Sequence, residues 1–329
     1  MRVLIADDYQ RASAALPALA AHTQGLDVQV LGALPDDLQA RAVALADAQA
    51  LVLIRERTRI DAALLERLPG LRLVSQTGKV GTHLDVAACT ARGVAVAEGV
   101  GSPIAPAELT WALVMAAMRR LPAYGAALQA GRWQDTGDAT LGRSLHGRTL
   151  GVWSYGKIGK RVAGYGRAFG MRVLVWGGEA ARGAAHADGF DMADAVEELF
   201  ERSDVLSLHR RLAPATRHQV DATLLARMKP DALLVNTSRA ELIAPGALLA
   251  ALDAGRPGMA ALDVFEHEPA TPHSEPLLPH PRVLATPHLG YVEQDSYALY
   301  LGAALENVRA FAAGTPRGLV NPEALTRVR

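Results

Sequence analysis

The feature that most constrains the fold is an alternation of strand and helix patterns that runs through the chain twice. Up to about residue 100, short apolar runs are separated by amphipathic segments with a helical period. This repetition is typical of a parallel sheet covered by helices. It predicts strands at Val3–Ala6, Val28–Leu31, Leu51–Ile54, Leu71–Ser75 and Val94–Ala97, and helices near residues 12–21, 36–47, 60–67 and 83–92.

The alternation restarts after a long helix, predicted from about Ala105 to Arg120, and a loop-rich patch between Gly131 and Asp138. A chain of 329 residues exceeds the usual size of one hydrophobic core. We therefore expect an α/β protein with two doubly wound parallel-sheet domains. The second series predicts strands at Thr149–Trp153, Arg172–Trp176, Val205–His209, Leu233–Asn236, Ala260–Phe265 and Val283–Thr286, and a last helix at 297–311.

Charge and composition exclude several classes of partner. The 34 basic and 34 acidic residues cancel, and no run of five like charges occurs, which argues against nucleic acid or an anionic membrane. The N-terminus turns acidic too early for a signal peptide, and the most apolar helical stretch, Ala105 to Met118, is too short for a bilayer. The single cysteine, Cys89, excludes an internal disulfide and is expected to be a packing residue. A cytoplasmic protein is expected.

A glycine turn opens the second series. The segment from Leu150 to Ala163 has the pattern of a strand, a tight turn and a helix, which lets backbone N–H groups approach a pyrophosphate. Gly156 and Gly159 take the second and third places of the G-x-G-x-x-G pattern, and Ser154 takes the first. The alternative is an ordinary strand-to-helix turn, but the position at the start of a βαβ series favours a dinucleotide site.

The next strand bears on the choice of cofactor. An acidic residue at its end normally binds the adenosine ribose and repels a 2′-phosphate, but this strand ends on Gly177. Glu179 could reach the ribose instead, which favours NAD. Nearby basic residues could pair with a 2′-phosphate, so NADP is possible; these residues are Arg182, Arg210 and Arg211.

Three pieces in the last third of the chain place titratable or charged side chains just past strand-like runs. They are V-N-T-S-R ending at Arg239, D-V-F-E-H-E-P around Glu268, and T-P-H-L-G around His288. An arginine, a carboxylate and an imidazole at strand ends could hold an anionic substrate and move a proton. Glu266 competes with Glu268, and we choose the residue before Pro269.

Several other histidines lie near His288. Their spacing matches no standard zinc pattern, and the segment is rich in proline, so we expect no metal and interpret them as solvated loop residues. They are His267, His273 and His280.

Taken together, the motifs resemble the D-isomer-specific 2-hydroxyacid dehydrogenases over nearly the whole chain. Those that carry the resemblance, besides the glycine turn and the three pieces above, are S-Q-T-G-K-V-G-T-H-L-D, A-E-L-T-W-A-L, S-D-V-L-S-L-H and V-N-P-E-A-L. The likeness is to phosphoglycerate dehydrogenases and glyoxylate or hydroxypyruvate reductases, without a C-terminal regulatory domain. It implies a flavodoxin-like substrate domain at residues 1–103 and 295–329, interrupted by a Rossmann dinucleotide-binding domain at 104–294.

The resemblance also implies an activity: hydride transfer between NAD, with NADP as the alternative, and a small 2-keto or D-2-hydroxy acid. Arg239 would bind the substrate carboxylate and keto oxygen, His288 would be the acid/base, and Glu268 would orient His288 and favour its protonated form. The backbone at Lys79, Val80 and Gly81 would bind the substrate carboxylate. The implied cofactor contacts are Ser154, Gly156, Lys157, Ile158, Gly159, Gly177, His209, Thr237, Ser238, Asp263 and Gly290.

The departures from the family pattern cluster around the cofactor. Ala240 follows Arg239 where the family usually has glycine, and Arg211 replaces a frequent proline.

The alternative function is a non-catalytic NAD(H)-sensing protein, like the corepressor members of the family. A formate dehydrogenase fits less well, because formate dehydrogenases lack a glutamate in the role assigned to Glu268. A homodimer is expected, with the stretch from Trp111 to Trp133 as its arm.

Overall fold

The computed structural model describes residues 1–138 and 141–326, which form two compact units. One unit comprises Met1–Ser102 and the chain from Val292 onward, and the other comprises Pro103–Tyr291. The strands are β1 (Arg2–Ala6), β2 (Asp27–Val30), β3 (Ala50–Leu53), β4 (Leu73–Gln76), β5 (Ala95–Ala97), β6 (Thr149–Trp153), β7 (Arg172–Trp176), β8 (Asp191–Met192), β9 (Val205–Leu208), β10 (Leu233–Asn236), β11 (Met259–Leu262) and β12 (Val283–Ala285).

The helices alternate with these strands. They are α1 (Ala12–Ala15), α2 (Ala20–Thr23), α3 (Leu38–Leu45), α4 (Ala62–Leu65), α5 (Val86–Ala91), α6 (Ile104–Met118), α7 (Leu121–Gln129), α8 (Lys157–Ala168), α9 (Glu179–Ala187), α10 (Val196–Arg202), α11 (Ala222–Ala226), α12 (Ala247–Asp253) and α13 (Gln294–Ala312). Among the residues described, no helix combines the length and apolar character that crossing a membrane would require.

The first unit is built on a five-stranded parallel sheet in the order β2-β1-β3-β4-β5. Strands β3, β4 and β5 are buried along their whole length, as expected for a parallel sheet covered on both faces. Helix α13 packs against β4, where the Ser75 hydroxyl donates to the Ala304 carbonyl at 2.9 Å. The chain therefore returns to this unit after completing the other.

The second unit has a seven-stranded parallel sheet in the order β12-β11-β10-β9-β6-β7-β8. Successive side chains of a strand point to opposite faces of the sheet, so each strand contributes side chains to two hydrophobic cores. Leu150 and Val152 of β6 lie in the core that includes α6 and α8, whereas Trp153 lies in the opposite core with Phe200. Because all strands are parallel, their carboxyl ends share one edge of the sheet, and ligands of doubly wound folds bind at that edge.

The structure confirms the two α/β series and corrects some details. Strand β8 was not predicted, because Asp191 and Met192 are both exposed and form no apolar run. The helix predicted at 12–21 is wrong as one element: Pro17, whose ring cannot continue a helix, begins a 3₁₀ turn between α1 and α2. Cys89 is fully buried, as expected for a packing residue, and burial raises the pKa of its thiol to about 12.

Several helices begin at an aspartate that caps the backbone. In each, the side chain accepts a hydrogen bond from the N–H three residues later, which satisfies a donor that the helix leaves unpaired. These aspartates are Asp37, Asp61, Asp85 and Asp221. The helix that follows the glycine turn has no such cap, as is also true of α6, α7 and α9.

Candidate active site

The glycine turn leaves the start of helix α8 open. Gly156 is the N-cap residue, and no side chain caps this helix. A Cβ at Gly156 would meet nothing within 4 Å, whereas one at Gly159 would lie 2.2 Å from the carbonyl oxygen of Ser154. The turn therefore requires glycine at 159 for close packing, and it presents unpaired N–H groups without side chains in front of them. These are the properties of a pyrophosphate cradle, so the residues present fit a dinucleotide.

Ser154 takes the backbone conformation that glycine takes in the G-x-G-x-x-G pattern. Its φ of 83° lies in the left-handed region, which glycine adopts without strain. Gly177, at the end of β7, faces this residue, since a Cβ at 177 would lie 3.4 Å from the Ser154 Cα. The structure therefore brings Ser154 and Gly177 together at the carboxyl ends of neighbouring strands.

A histidine and a glutamate form a close pair at the far side of the same edge. The Nδ1 of His288, three residues after β12, lies 2.7 Å from the Oε2 of Glu268. The other glutamate oxygen accepts the N–H of Phe265 at 3.0 Å, which fixes the carboxylate. Since an ionised carboxylate only accepts hydrogen bonds, the contact suits the ring form with an N–H at Nδ1, and Nε2 is the ring nitrogen outside this contact. Glu266, the alternative considered from sequence, is exposed, as is Glu268, but the contact with His288 is made by Glu268.

Buried Asp263 holds the turn that carries this histidine. Its carboxylate accepts hydrogen bonds from the Thr286 hydroxyl at 2.6 Å and from the N–H groups of Leu289 and Gly290 at 2.7 and 2.9 Å. Burial raises the pKa of the Asp263 carboxyl above its ordinary value, against the opposing effect of these donors. The sequence motifs suggested a cofactor contact at Asp263 and Gly290, and the structure reveals in addition a link between β11 and the His288 turn.

Arg239 follows β10, the strand next to β11. Its Nη1 donates to the Ser238 carbonyl at 2.6 Å, and the Asn236 side chain donates to the Arg239 carbonyl at 2.9 Å. The Thr237 hydroxyl lies 2.7 Å from that of Thr110 on helix α6. Strands β10, β11 and β12 are neighbours, so Arg239, Asp263 and His288 follow three adjacent strands at one edge.

The remaining predicted cofactor contacts lie along the same edge. Lys157 and Ile158 begin α8, with the lysine exposed and Ile158 packed against the core. His209 follows β9, and its Nε2 lies 2.9 Å from the Ser207 hydroxyl. Burial lowers the pKa of His209 to about 4, so this ring is neutral near pH 7.

The loop predicted to bind substrate lies in the other unit. The Val80 N–H donates to Glu98 Oε1 at 2.8 Å, and the Lys79 ammonium pairs with the other oxygen of Glu98. Gly81 is partly exposed and lies beside His83. No sequence motif indicates Glu98, which accepts the Val80 N–H group that was expected to bind the substrate. The substrate role of these three residues stays a prediction.

The neighbouring histidines differ from one another. His267 and His273 are exposed, as expected for solvated loop residues. The expectation is wrong for His280, whose side chain is only 11% exposed and whose Nε2 lies 3.4 Å from Asp253. Within residues 1–138 and 141–326, no group of three or more histidine, cysteine, aspartate or glutamate side chains is arranged to hold a metal ion.

The sequence of the second unit, Pro103–Tyr291, is similar to that of known proteins. Residues 111–290 match the family model of the D-isomer specific 2-hydroxyacid dehydrogenase, NAD binding domain. The chain is 38% identical to a glyoxylate reductase of Aeropyrum pernix, over 81% of each chain. It is 37% identical to a D-3-phosphoglycerate dehydrogenase of Methanocaldococcus jannaschii, over 74% of this chain but 46% of that protein, so it spans about half the length of that relative.

A solved structure agrees over nearly the whole chain. The phosphoglycerate oxidoreductase of Vibrio cholerae superposes with a TM-score of 0.93 at 52% identity, covering 95% of this chain and 99% of that one. The family match spans the glycine turn and all three of the pieces that end at Arg239, Glu268 and His288. The chain therefore belongs to the D-isomer-specific 2-hydroxyacid dehydrogenases, oxidoreductases that transfer a hydride between a nicotinamide cofactor and a 2-keto or 2-hydroxy acid.

Proposed function

We propose that this protein reduces a small 2-keto acid to its D-2-hydroxy acid, or catalyses the reverse, with His288 as the proton donor and acceptor. The observation that carries the proposal is the 2.7 Å contact between His288 Nδ1 and Glu268, which leaves Nε2 as the exchangeable position. A nicotinamide ring bound at this edge would supply or accept the hydride. His288 Nε2 would give a proton to the carbonyl oxygen in reduction and take one from the hydroxyl in oxidation.

Arg239 is the proposed anchor for the substrate. A guanidinium presents planar, paired N–H donors that match a carboxylate, and its charge stays fixed at neutral pH. The contact between its Nη1 and the Ser238 carbonyl constrains the side chain at the end of β10. Held there, Arg239 would align the 2-keto acid and polarise its carbonyl. Lys79, Val80 and Gly81 remain proposed substrate-binding residues.

The proposed cofactor contacts begin at the open end of α8. The N–H groups after Gly156 would receive the pyrophosphate, with Ser154, Lys157, Ile158 and Gly159 around it. Gly177 and His209 would lie toward the adenosine. Thr237, Ser238, Asp263 and Gly290 follow β10, β11 and β12, and they are proposed to line the side toward the reacting groups.

A substrate panel tests the activity. Names of relatives indicate glyoxylate and 3-phosphoglycerate chemistry, so the panel would contain glyoxylate, hydroxypyruvate, pyruvate and bulkier 2-keto acids, each with NADH and NADPH. We expect oxidation of reduced cofactor with at least one of them. Cofactor binding without turnover across the whole panel would instead favour a nucleotide-sensing protein on the same fold.

Replacing Glu268 with glutamine should lower kcat more than it raises KM. The substitution removes a charge-assisted hydrogen bond to His288, worth about 1.5–3 kcal/mol, or about 10- to 150-fold. Steady-state kinetics would measure the loss, with Glu266→Gln as the matched control, because Glu266 is an exposed glutamate two residues away. Equal losses in both variants would contradict the assignment of Glu268.

A homodimer in the cytoplasm is also proposed, with the stretch from Trp111 to Trp133 as its arm. Large apolar side chains are exposed on this stretch: Leu121 and Leu128 are each 56% exposed, and Trp133 is 70% exposed. A contiguous patch of exposed apolar side chains commonly marks an interface, and we propose that these three contribute to one.

Trp133→Asp should convert the dimer into a monomer, because it places a charge in an apolar contact. Light scattering would measure the mass. Val43→Asp is the matched control, since Val43 is 67% exposed on α3, outside the arm. A wild-type mass equal to one chain would reject the dimer.

A further inference from the structure

Two arginines near the cofactor turn lie against tryptophan rings and lack acidic partners. The guanidinium carbon of Arg182, on α9, lies 4.9 Å from the centre of the Trp176 ring, and that of Arg210 lies 5.9 Å from the Trp153 ring. The Nε of each is buried without a hydrogen-bond acceptor. In the part of the chain that the structure describes, neither forms an ion pair, unlike Arg202 and Arg227 of the same unit.

The register of the sheet places the two tryptophans that these arginines contact next to each other. Trp153 ends β6 and Trp176 ends β7, and the two are directly paired across the parallel strands. Paired residues of neighbouring strands point to the same face, so the two indoles lie side by side in the same core. The indole Nε1 of Trp153 is a third buried donor without an acceptor. Donors without acceptors therefore gather at the carboxyl ends of these two strands.

This arrangement of buried donors and positive charges favours the binding of an anion. Each guanidinium lies near one of two adjacent indoles, where it loses part of its hydration and keeps its positive charge. A carboxylate at the end of β7 would offset the charge, but Gly177 stands there. The first acid after it, Glu179, is exposed, and among the described residues it forms no ion pair with either arginine. A phosphate dianion matches both the charge and the planar donor geometry of arginine.

We propose that Arg182 and Arg210 form the binding subsite for the 2′-phosphate of NADP(H), so that this enzyme uses the phosphorylated cofactor. The inference rests on the proposed function for the position of the adenosine beside Gly177. An acid at the end of this strand selects against the 2′-phosphate, whereas an arginine nearby accommodates it. Arg211, also considered from sequence, is exposed and lies outside the pair.

Two small probes isolate the phosphate from the rest of the cofactor. Adenosine 2′,5′-bisphosphate differs from 5′-AMP only in the 2′-phosphate, and calorimetry on the full chain measures the affinity of each without turnover. We expect the bisphosphate to bind about 10- to 100-fold more tightly, the range expected of a charge-assisted hydrogen bond. Arg182→Gln and Arg210→Gln should each remove most of that difference and leave 5′-AMP binding in place, which also verifies that the variants fold.

Two further variants sharpen the test. Gly177→Asp should weaken binding of the bisphosphate more than binding of 5′-AMP, and the backbone has room for a Cβ at 177, which would make only ordinary contacts at 3.4 Å. Arg167→Gln is the matched control: Arg167 also stacks on an aromatic ring, at 4.6 Å from Phe190, but it donates to the Asp188 carbonyl. It should change neither affinity.

The outcomes separate this inference from the activity. Equal affinities for the two probes in the wild type, or losses in Arg167→Gln as large as those in Arg182→Gln, would overturn the subsite. If a 2-keto acid is nevertheless reduced with NADH, the proposed function is supported even though the phosphate subsite is rejected. Tight bisphosphate binding that depends on Arg182 and Arg210, with no turnover of any 2-keto acid, would support the subsite and reject the proposed activity.

Discussion

Replacing His288 with asparagine is expected to lower kcat by about 10²–10⁴, the usual contribution of a positioned general acid or base. Asparagine is the informative choice because the backbone of His288 has a φ of 51°, a left-handed conformation that asparagine tolerates better than alanine does. The substitution therefore removes the titrating nitrogen and keeps the turn. Steady-state kinetics in both directions would measure the loss, which should fall on kcat for oxidation as well as reduction.

The control for this experiment is His273→Asn. His273 is an exposed histidine of the same loop-rich region, and its replacement should leave kcat unchanged. Alanine at 288 should give a similar kcat with a lower melting temperature, since it adds backbone strain to the loss of the imidazole. A normal kcat in His288→Asn would mean that another group donates the proton.

Replacing Arg239 with glutamine is expected to lower kcat/KM by about 10²–10⁴. The estimate assumes the loss of two charge-assisted hydrogen bonds of about 1.5–3 kcal/mol each to the substrate. Both kcat and KM should change, because Arg239 is proposed to bind the carboxylate and to polarise the carbonyl. Lysine at 239 should restore only part of the loss, since an ammonium keeps the charge but not the planar pair of donors.

The matched control is Arg217→Gln. Arg217 lies in the same unit, 3.6 Å from Glu241, and its side chain is 50% exposed, so its replacement should change kcat/KM little. Full activity with lysine at 239 would show that charge alone suffices and would contradict the bidentate role.

Much of the fold could be predicted because its signals are local. Buried parallel strands appear in the sequence as short apolar runs, and the runs at Leu51, Val205 and Leu233 begin or extend strands that are buried throughout. The ends of strands β10, β11 and β12 could likewise be located. Because the strands are parallel, this was enough to expect Arg239 and His288 at a common edge.

What could not be predicted depends on contacts between distant residues. Nothing in the sequence around Val80 indicates that Glu98 accepts its N–H, and nothing around Arg182 indicates that Trp176 lies under the guanidinium. Strand β8 escaped prediction because its two residues are held by pairing with β7 and not by burial. Such contacts are set by how the sheet aligns its strands, which a linear pattern does not record.

The anchoring of the His288 turn by Asp263 has a consequence for loop exchange between relatives. The Asp263 carboxylate, directly after β11, accepts hydrogen bonds from Thr286, Leu289 and Gly290. The position of the imidazole is therefore specified partly by a strand that precedes it by more than twenty residues. Consider a chimera that takes the segment around His288 from one relative and β11 from another. If their residues differ here, three hydrogen-bond donors or one buried carboxylate would lose their partners. Strands β11 and β12 should therefore be exchanged together with both of their loops, and recombination breakpoints are best tolerated before β11 or after Gly290.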